Sequence, residues 1–468
     1  MPRKNLPDDT IVAIATPPGE GGIGVVRLSG DRALAVADVL FRARSGGVVS
    51  SQKSFTVRYG NVVEILPEGE RAVDEVLLLV MRRPKSYTGE DTVEISAHGG
   101  PTVLQAIVRL ALAADARLAE PGEFTKRAFL NGRIDLLQAE AVLDLIRART
   151  ERERGWALSQ LEGALSGKMK KWRQELVEVA SHLEAAIDFP DDSPDTDPLE
   201  CIQTKLEGIS AEITRMLRDS ALAFSSKRGF RIALCGRPNV GKSSLMNRLT
   251  RSERVIVTPY PGTTRDVVEE ESLLGDFSVR YQDTAGVRET EHPIEKEGVE
   301  RSKKTMSGAD LVVLVLDSSE ALQKDDRVLL SELEEKNVLV VLNKSDLPAG
   351  LDSKALKAQL PRPWPVTRSS CLREDGTQEL ERAMLAFILN GRIEMPEGVV
   401  LGTVRQKNLL EKLSKELHQA CEGCRQGLSD ELIASTVRQA LDSLGELVGE
   451  VINDDILDVL FQKFCIGK

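Results

Sequence analysis

Apolar residues follow two rhythms along this chain, and the rhythm changes three times. Up to about residue 131, short strand-like runs (IVAIA, GVVRLS, EVLLLVM, DTVEIS) are mixed with two helical runs, DRALAVADVLF and PTVLQAIVRLALAADA. That mixture predicts an α+β domain over residues 1–131. From 132 to 228 the helical rhythm takes over. DLLQAEAVLDLIRA and KKWRQELVEVASHLEAAI place apolar residues at i, i+3, i+4 and i+7. The proline- and aspartate-rich FPDDSPDTDP breaks this stretch between two helices. From 229 to 390, compact apolar runs (RIALCG, FSVRYQ, DLVVLVLD, NVLVVLN) alternate with helical stretches, as in a parallel sheet covered on both faces. From 391 to 468 the pattern is helical again. The simplest organisation is an N-terminal α+β domain and a discontinuous helical bundle, 132–228 with 391–468, interrupted by an α/β domain at 229–390.

Composition narrows the function. The 468 residues suggest about three domains. No run reaches the roughly 18 apolar residues of a membrane span, and the apolar part of MPRKNLPDDTIVAIATPPG is too short for a signal peptide. Six cysteines (Cys201, Cys235, Cys371, Cys421, Cys424, Cys465) in so long a chain do not form a disulfide framework. The expected setting is a reducing cytoplasm without a membrane. A net charge of −11 and 4% aromatic residues argue against a broad stacking platform for single strands. A nucleic-acid partner must meet a local basic patch or be held by a second protein.

The strongest chemical signal is GRPNVGKS, residues 236–243. It follows a strand-like run and opens a helical one, the setting a P-loop needs. Gly236 and Gly241 let the backbone curl round phosphates, Lys242 brings a point charge to the β/γ-phosphates, and Ser243 offers a hydroxyl to Mg²⁺. GTP contacts are expected from Asn239, Val240, Gly241, Lys242, Ser243 and Ser244. Downstream come GTTRD, with Thr263 and Thr264 as switch residues, and DTAG, with Asp283, Thr284, Ala285 and Gly286. NKSD follows, with Asn343, Lys344 and Asp346. The Asp346 carboxylate can accept from both guanine N1–H and N2–H₂. Four motifs in this order read as a GTPase. Val287 stands where Ras-like enzymes carry the water-orienting glutamine, so the attacking water must be placed from elsewhere or hydrolysis is slow. Asn239 has two readings, a ligand for a monovalent cation or a cap on its own loop.

The GTPase motifs, the segment TPPGEGGIGVVRLSG and the terminal FCIGK together resemble the bacterial and organellar tRNA modification GTPases, over the whole chain. The resemblance implies a homodimer formed through a folate-binding first domain. It implies K⁺-dependent GTP hydrolysis stimulated when two GTPase domains meet. It also implies a flavoprotein partner carrying FAD, in a heterotetramer or larger assembly. That assembly adds an aminomethyl or carboxymethylaminomethyl group at C5 of the tRNA wobble uridine, with the carbon drawn from 5-formyl- or methylene-tetrahydrofolate. By position, Asn239, Thr258, Tyr260 and Thr263 become K⁺ ligands, and Ser243 and Thr264 become Mg²⁺ ligands. Arg265 belongs to the switch, and Glu295 organises the attacking water, which answers the question left by Val287. Arg27, Glu94, Arg133 and Lys468 become the folate pocket, with Cys465 near the reacting carbon. The last guanine-side loop departs from the family's S-A-K: here it is Ser370, Cys371 and Leu372. A GTP-dependent ribosome-assembly or regulatory switch is the competing function.

Other signals count for less. Gly19, Gly21 and Gly24 spell a dinucleotide fingerprint, but a strand-like run follows, so a hairpin turn is expected. Cys421 and Cys424 read as one face of a helix, and His98 as a helix-opening turn. DDILDVLFQKF reads as a helix ended by Gly467.

Overall fold

The computed structural model describes residues 9–188, 199–252, 269–283, 306, 308–389, 399–451 and 454–468. The chain divides into two compact units. One comprises Met1–Leu143, Gln160–Ser210 and Asn408–Lys468, the other Asp144–Ser159 and Ala211–Lys407.

The first unit holds a seven-stranded sheet of β1 (Ile11–Ile14), β2 (Gly21–Ser29), β3 (Phe41–Ala43), β4 (Thr56–Leu66), β5 (Gly69–Met81), β6 (Thr92–Gly99) and β7 (Arg117–Leu118). Their order is β3-β4-β5-β6-β2-β1-β7, antiparallel apart from the β1–β7 pair. Alternation puts Val26, Leu28, Leu78, Val80, Val93 and Ile95 in one core with helices Ala33–Leu40 and Pro101–Ala113. Gly24 explains the glycine cluster. A Cβ there would meet Leu104 Cδ1 at 2.5 Å, so the helix lies directly on β2. The GxGxxG turn joins two antiparallel strands and does not open a helix.

Helices of this unit include Leu136–Arg147, Ala164–Asp188, Val404–Gln426, Asp430–Val448 and Asp454–Phe461. Leu165, Met169, Trp172, Leu176, Val179 and Leu183 are buried at alternating steps of four and three residues. Ile433, Val437, Ala440, Leu444 and Leu447 repeat that spacing on the helix that packs against them. This is the 3.5-residue seam of knobs-into-holes packing, and it joins the parts of the bundle that precede and follow the α/β insertion.

The second unit holds β8 (Phe230–Cys235), β9 (Glu269–Leu274), β10 (Phe277–Asp283), β11 (Leu311–Asp317), β12 (Val338–Asn343) and β13 (Val366–Arg368) in the order β13-β12-β11-β8-β10-β9. All pairs are parallel except the β9–β10 hairpin. β11 and β12 are buried along their whole length, as their unbroken apolar runs require. Val313, Val315, Leu339 and Val341 pack with helices Lys242–Ser252 and Gln378–Ile388, and their neighbours Val312, Leu314, Val340 and Leu342 pack on the other face. The order reverses between β8 and β11, so the carboxyl ends of those strands form the crevice where such sheets bind ligands.

Candidate functional site

The P-loop leaves β8 at that reversal. Gly236 has φ +148°, and a Cβ on it would stand 2.4 Å from the Val315 carbonyl oxygen on β11. Gly241 has φ +96°, and its Cβ would stand 2.4 Å from Asn343 Nδ2. Both places admit only glycine. Lys242 opens the following helix and is 6% exposed; its Nζ donates to the carbonyls of Gly236 at 2.8 Å and Arg237 at 2.9 Å. Arg237, the other cation of the loop, is neutralised by Glu320 and Asp326, so the local positive field belongs to Lys242. Asn239 has φ +67°, a region that asparagine enters more readily than most residues.

The base-side loops close on the P-loop from β12. Asn343 ends that strand, donates to the Val240 carbonyl at 2.8 Å and accepts from Ser369 Oγ at 3.0 Å. Lys344 has φ +58° and its Nζ lies 2.6 Å from Asp317 Oδ2. Burial works to raise the Asp317 carboxyl, but Lys344 and the Ser319 hydroxyl and N–H outweigh it, and its pKa lies below the usual range. Ser370 Oγ donates to Asp346 Oδ1 at 2.5 Å, which fixes the carboxylate and lowers its pKa. Burial raises the Cys371 thiol beside Asn343, while Leu372 is 84% exposed. The structure therefore brings Asn239, Val240, Gly241, Lys242, Asn343, Lys344, Asp346, Ser370 and Cys371 into one neighbourhood. Ser243 and Ser244 follow on the same helix, and Asp283 ends β10. Thr258, Tyr260, Thr263, Thr264, Arg265, Thr284, Ala285, Gly286 and Glu295 lie outside the described residues. Asp317 is the member that sequence reasoning missed. Its only signal was that an apolar strand ended in aspartate.

A second cluster forms on the sheet of the first unit. Arg27 on β2 and Glu94 on β6 are cross-strand partners, with Arg27 Nε donating to Glu94 Oε1 at 2.8 Å. Arg27 Nη1 also donates to the Gly467 carbonyl at 3.2 Å, so the C-terminal tail lies on this sheet. Gly467 has φ +95°, and a Cβ there would meet the Ile14 carbonyl oxygen at 2.4 Å. The last helix ends at Phe461, so Gly467 is not its terminator as the sequence suggested; the residue serves this close approach to β1 instead. Phe461 and Phe464 anchor the tail among Leu136, Ala139 and Val142, while Cys465 is exposed. Burial and the Arg27 charge lower the Lys468 ammonium against the opposing pull of Glu94 and Cys465. The Arg27 guanidinium lies over the rings of Tyr87 (5.3 Å) and Phe124 (5.6 Å), and the Arg133 guanidinium also lies over the Tyr87 ring at 5.2 Å. Arg27, Glu94, Arg133 and Lys468 thus converge. Tyr87 and Phe124 carried no pattern that marked them in advance.

Elsewhere, Cys421 and Cys424 are buried on one helix, with the Cys421 thiol pushed up to about 11 by burial. His98 lies within β6, where Nδ1 is 2.7 Å from Asp74 Oδ1, rather than in a helix-opening turn. No helix among the described residues is long and apolar enough to cross a membrane.

A largely parallel sheet whose first strand empties into GRPNVGKS, with NKSD at the end of β12 on the far side of β11, is a P-loop GTPase domain. Two family models match the chain, the GTP-binding protein TrmE N-terminus over residues 10–133 and the MnmE helical domain over residues 136–465. The chain belongs to the tRNA modification GTPase MnmE family. It is 44% identical over 462 residues to the tRNA modification GTPase MnmE of Geobacillus kaustophilus (strain HTA426), covering 98% of this chain and 99% of that one. It is 41% identical to the protein of that name from Bacillus subtilis (strain 168), covering 98% and 100%. Among solved structures, the G domain of the T. maritima FeoB iron transporter is 28% identical and covers 34% of this chain and 98% of its own, with a TM-score of 0.26. By its family, the chain is a GTPase of tRNA modification.

Proposed function

We propose that this GTPase, as a homodimer with an FAD-carrying flavoprotein in a heterotetramer or larger assembly, modifies C5 of the wobble uridine in certain tRNAs. The group added is aminomethyl or carboxymethylaminomethyl, and a tetrahydrofolate supplies its carbon. The observation that supports this most is the tail. The last two residues reach across the sheet to Arg27 and Glu94. The donor set suits a folate: Arg27, Arg133 and Lys468 offer cations to its carboxylates, Glu94 an acceptor to the pterin N–H groups, and Tyr87 and Phe124 aromatic walls. 5-Formyl- or methylene-tetrahydrofolate, when bound, supplies the one-carbon unit. Around it, Arg27 and Lys468 orient the ligand, and the exposed Cys465 stands at the tail beside the pocket.

In the nucleotide site, Lys242 neutralises the β/γ-phosphates and Asp346, fixed by Ser370, reads the guanine. Ser243 with Thr264 would hold Mg²⁺, and Asn239 with Thr258, Tyr260 and Thr263 would hold K⁺. Arg265 belongs to the switch, and Glu295 orients the attacking water. Calorimetric titration with 5-formyltetrahydrofolate tests the pocket. Arg27→Ala and Glu94→Gln should each weaken binding at least about tenfold, the loss expected when a charge-assisted bond is removed, while GTP turnover holds. Undiminished binding in both variants sinks the folate assignment.

A further inference from the structure

The bundle helix Ala164–Asp188 carries a run of cations in its second and third turns. Its first turn carries no acidic residue, yet Lys168, Lys170, Lys171 and Arg173 follow within the next two turns, all exposed. Among the cations shortly before this helix, Arg149 pairs with Glu271, Arg152 with Asp276 and Arg154 with Glu151. In the Lys168–Arg173 run, Lys171 reaches Glu175 only at 3.7 Å and Arg173 reaches Glu450 at 3.3 Å, while Lys168 and Lys170 have no carboxylate partner among the described residues. In a chain of net charge −11, this is a local reversal of sign.

Its position within the unit gives the reversal meaning. The turn before the helix is tied to the helix that seats the tail: Gln138 Nε2 donates to the Leu161 carbonyl at 2.9 Å, and Leu161 packs on the cluster containing Phe461 and Phe464. Lys168 follows Gly163 by five residues, about 7.5 Å along a helix. A second tie runs through Arg173 to Glu450, next to Gly449, whose Cβ position touches Leu136 and Phe129. The cationic run therefore begins within about two helical turns of Leu161, which packs on the cluster that seats Phe464, the residue before Cys465. The KMKKWR pattern interleaves an aromatic with cations, but Trp172 and Met169 are each 1% exposed, so base stacking is closed to them and only phosphate contact remains.

We propose that Lys168, Lys170 and Lys171 form a grip for the tRNA phosphate backbone, placed to hold the substrate near the tail. The grip is electrostatic and does not read sequence. The test uses the full-length chain and bulk tRNA from a strain deleted for this protein, with binding followed across a salt series. Lys168→Gln/Lys170→Gln/Lys171→Gln should weaken tRNA binding about tenfold or more at 0.1 M salt and lower the slope of log K against log salt by roughly 2 to 3. Multiple-turnover GTP hydrolysis without tRNA should stay unchanged, which shows the variant is folded. Lys354→Gln/Lys357→Gln, which removes two exposed lysines elsewhere, should leave affinity near wild type. Unchanged affinity in the triple variant, an equal loss in the control, or no measurable wild-type binding at low salt each overturns the proposal.

Discussion

Lys344 adopts a left-handed backbone that non-glycine residues avoid, and its ammonium is tied to Asp317 at the end of the adjacent strand. Asp317 also accepts from Ser319 N and Oγ, at 2.9 Å and 2.6 Å. Its folded pKa is depressed, so its contribution is full above the unfolded value near ~3.9 and is lost as pH falls through the folded one. Urea midpoints of the GTPase domain should therefore fall between pH 5 and pH 3, and Asp317→Asn should flatten that fall. An identical acid slope in the variant would mean the pair contributes nothing there. This residue also shows what the chain concealed. The P-loop and NKSD are contiguous words whose chemistry follows from spacing, and both were legible. Asp317 matters through a contact with Lys344, which local pattern does not encode.

At the scale of elements, burial decided what could be read. DLVVLVLD and NVLVVLN are apolar throughout because both faces of their strands are covered, and the parallel sheet was plain from them. The tail's place beside Arg27 was expected from the family resemblance and not from any local pattern. Arg27 and Gly467 are 440 residues apart in sequence and joined by one hydrogen bond, so no periodicity announced it. The seat is steric as well as polar, because a Cβ at 467 meets the Ile14 carbonyl. Gly467→Ala should displace the tail and reduce folate binding and tRNA modification together, with GTP hydrolysis retained. Cys465→Ser should stop modification while folate binding holds. If Gly467→Ala binds folate as wild type does, the tail plays no part in the pocket.

For the whole molecule, the described residues of the P-loop cluster and of the tail cluster belong to different compact units. GTP turnover should thus be separable from folate binding by mutation. Potassium in place of sodium should accelerate hydrolysis several-fold, and Glu295→Ala should cut turnover strongly with GTP affinity kept. Equal rates in the two salts remove K⁺ from the mechanism, and normal turnover in the variant removes Glu295. The turn at Asn239 would favour asparagine even without a cation, so ion substitution is the measurement that separates the two roles.

The seam between helices Ala164–Asp188 and Asp430–Val448 also has a consequence for biogenesis. During synthesis the Leu165–Leu183 stripe emerges first, and its partner follows roughly 250 residues later, a delay of about 12 to 50 seconds at ribosomal speed. The GTPase sheet, drawn from one continuous stretch, can close in that interval. Until the second helix arrives, six apolar side chains stay exposed to chaperones and to aggregation, and truncation anywhere in the insertion leaves the bundle permanently open.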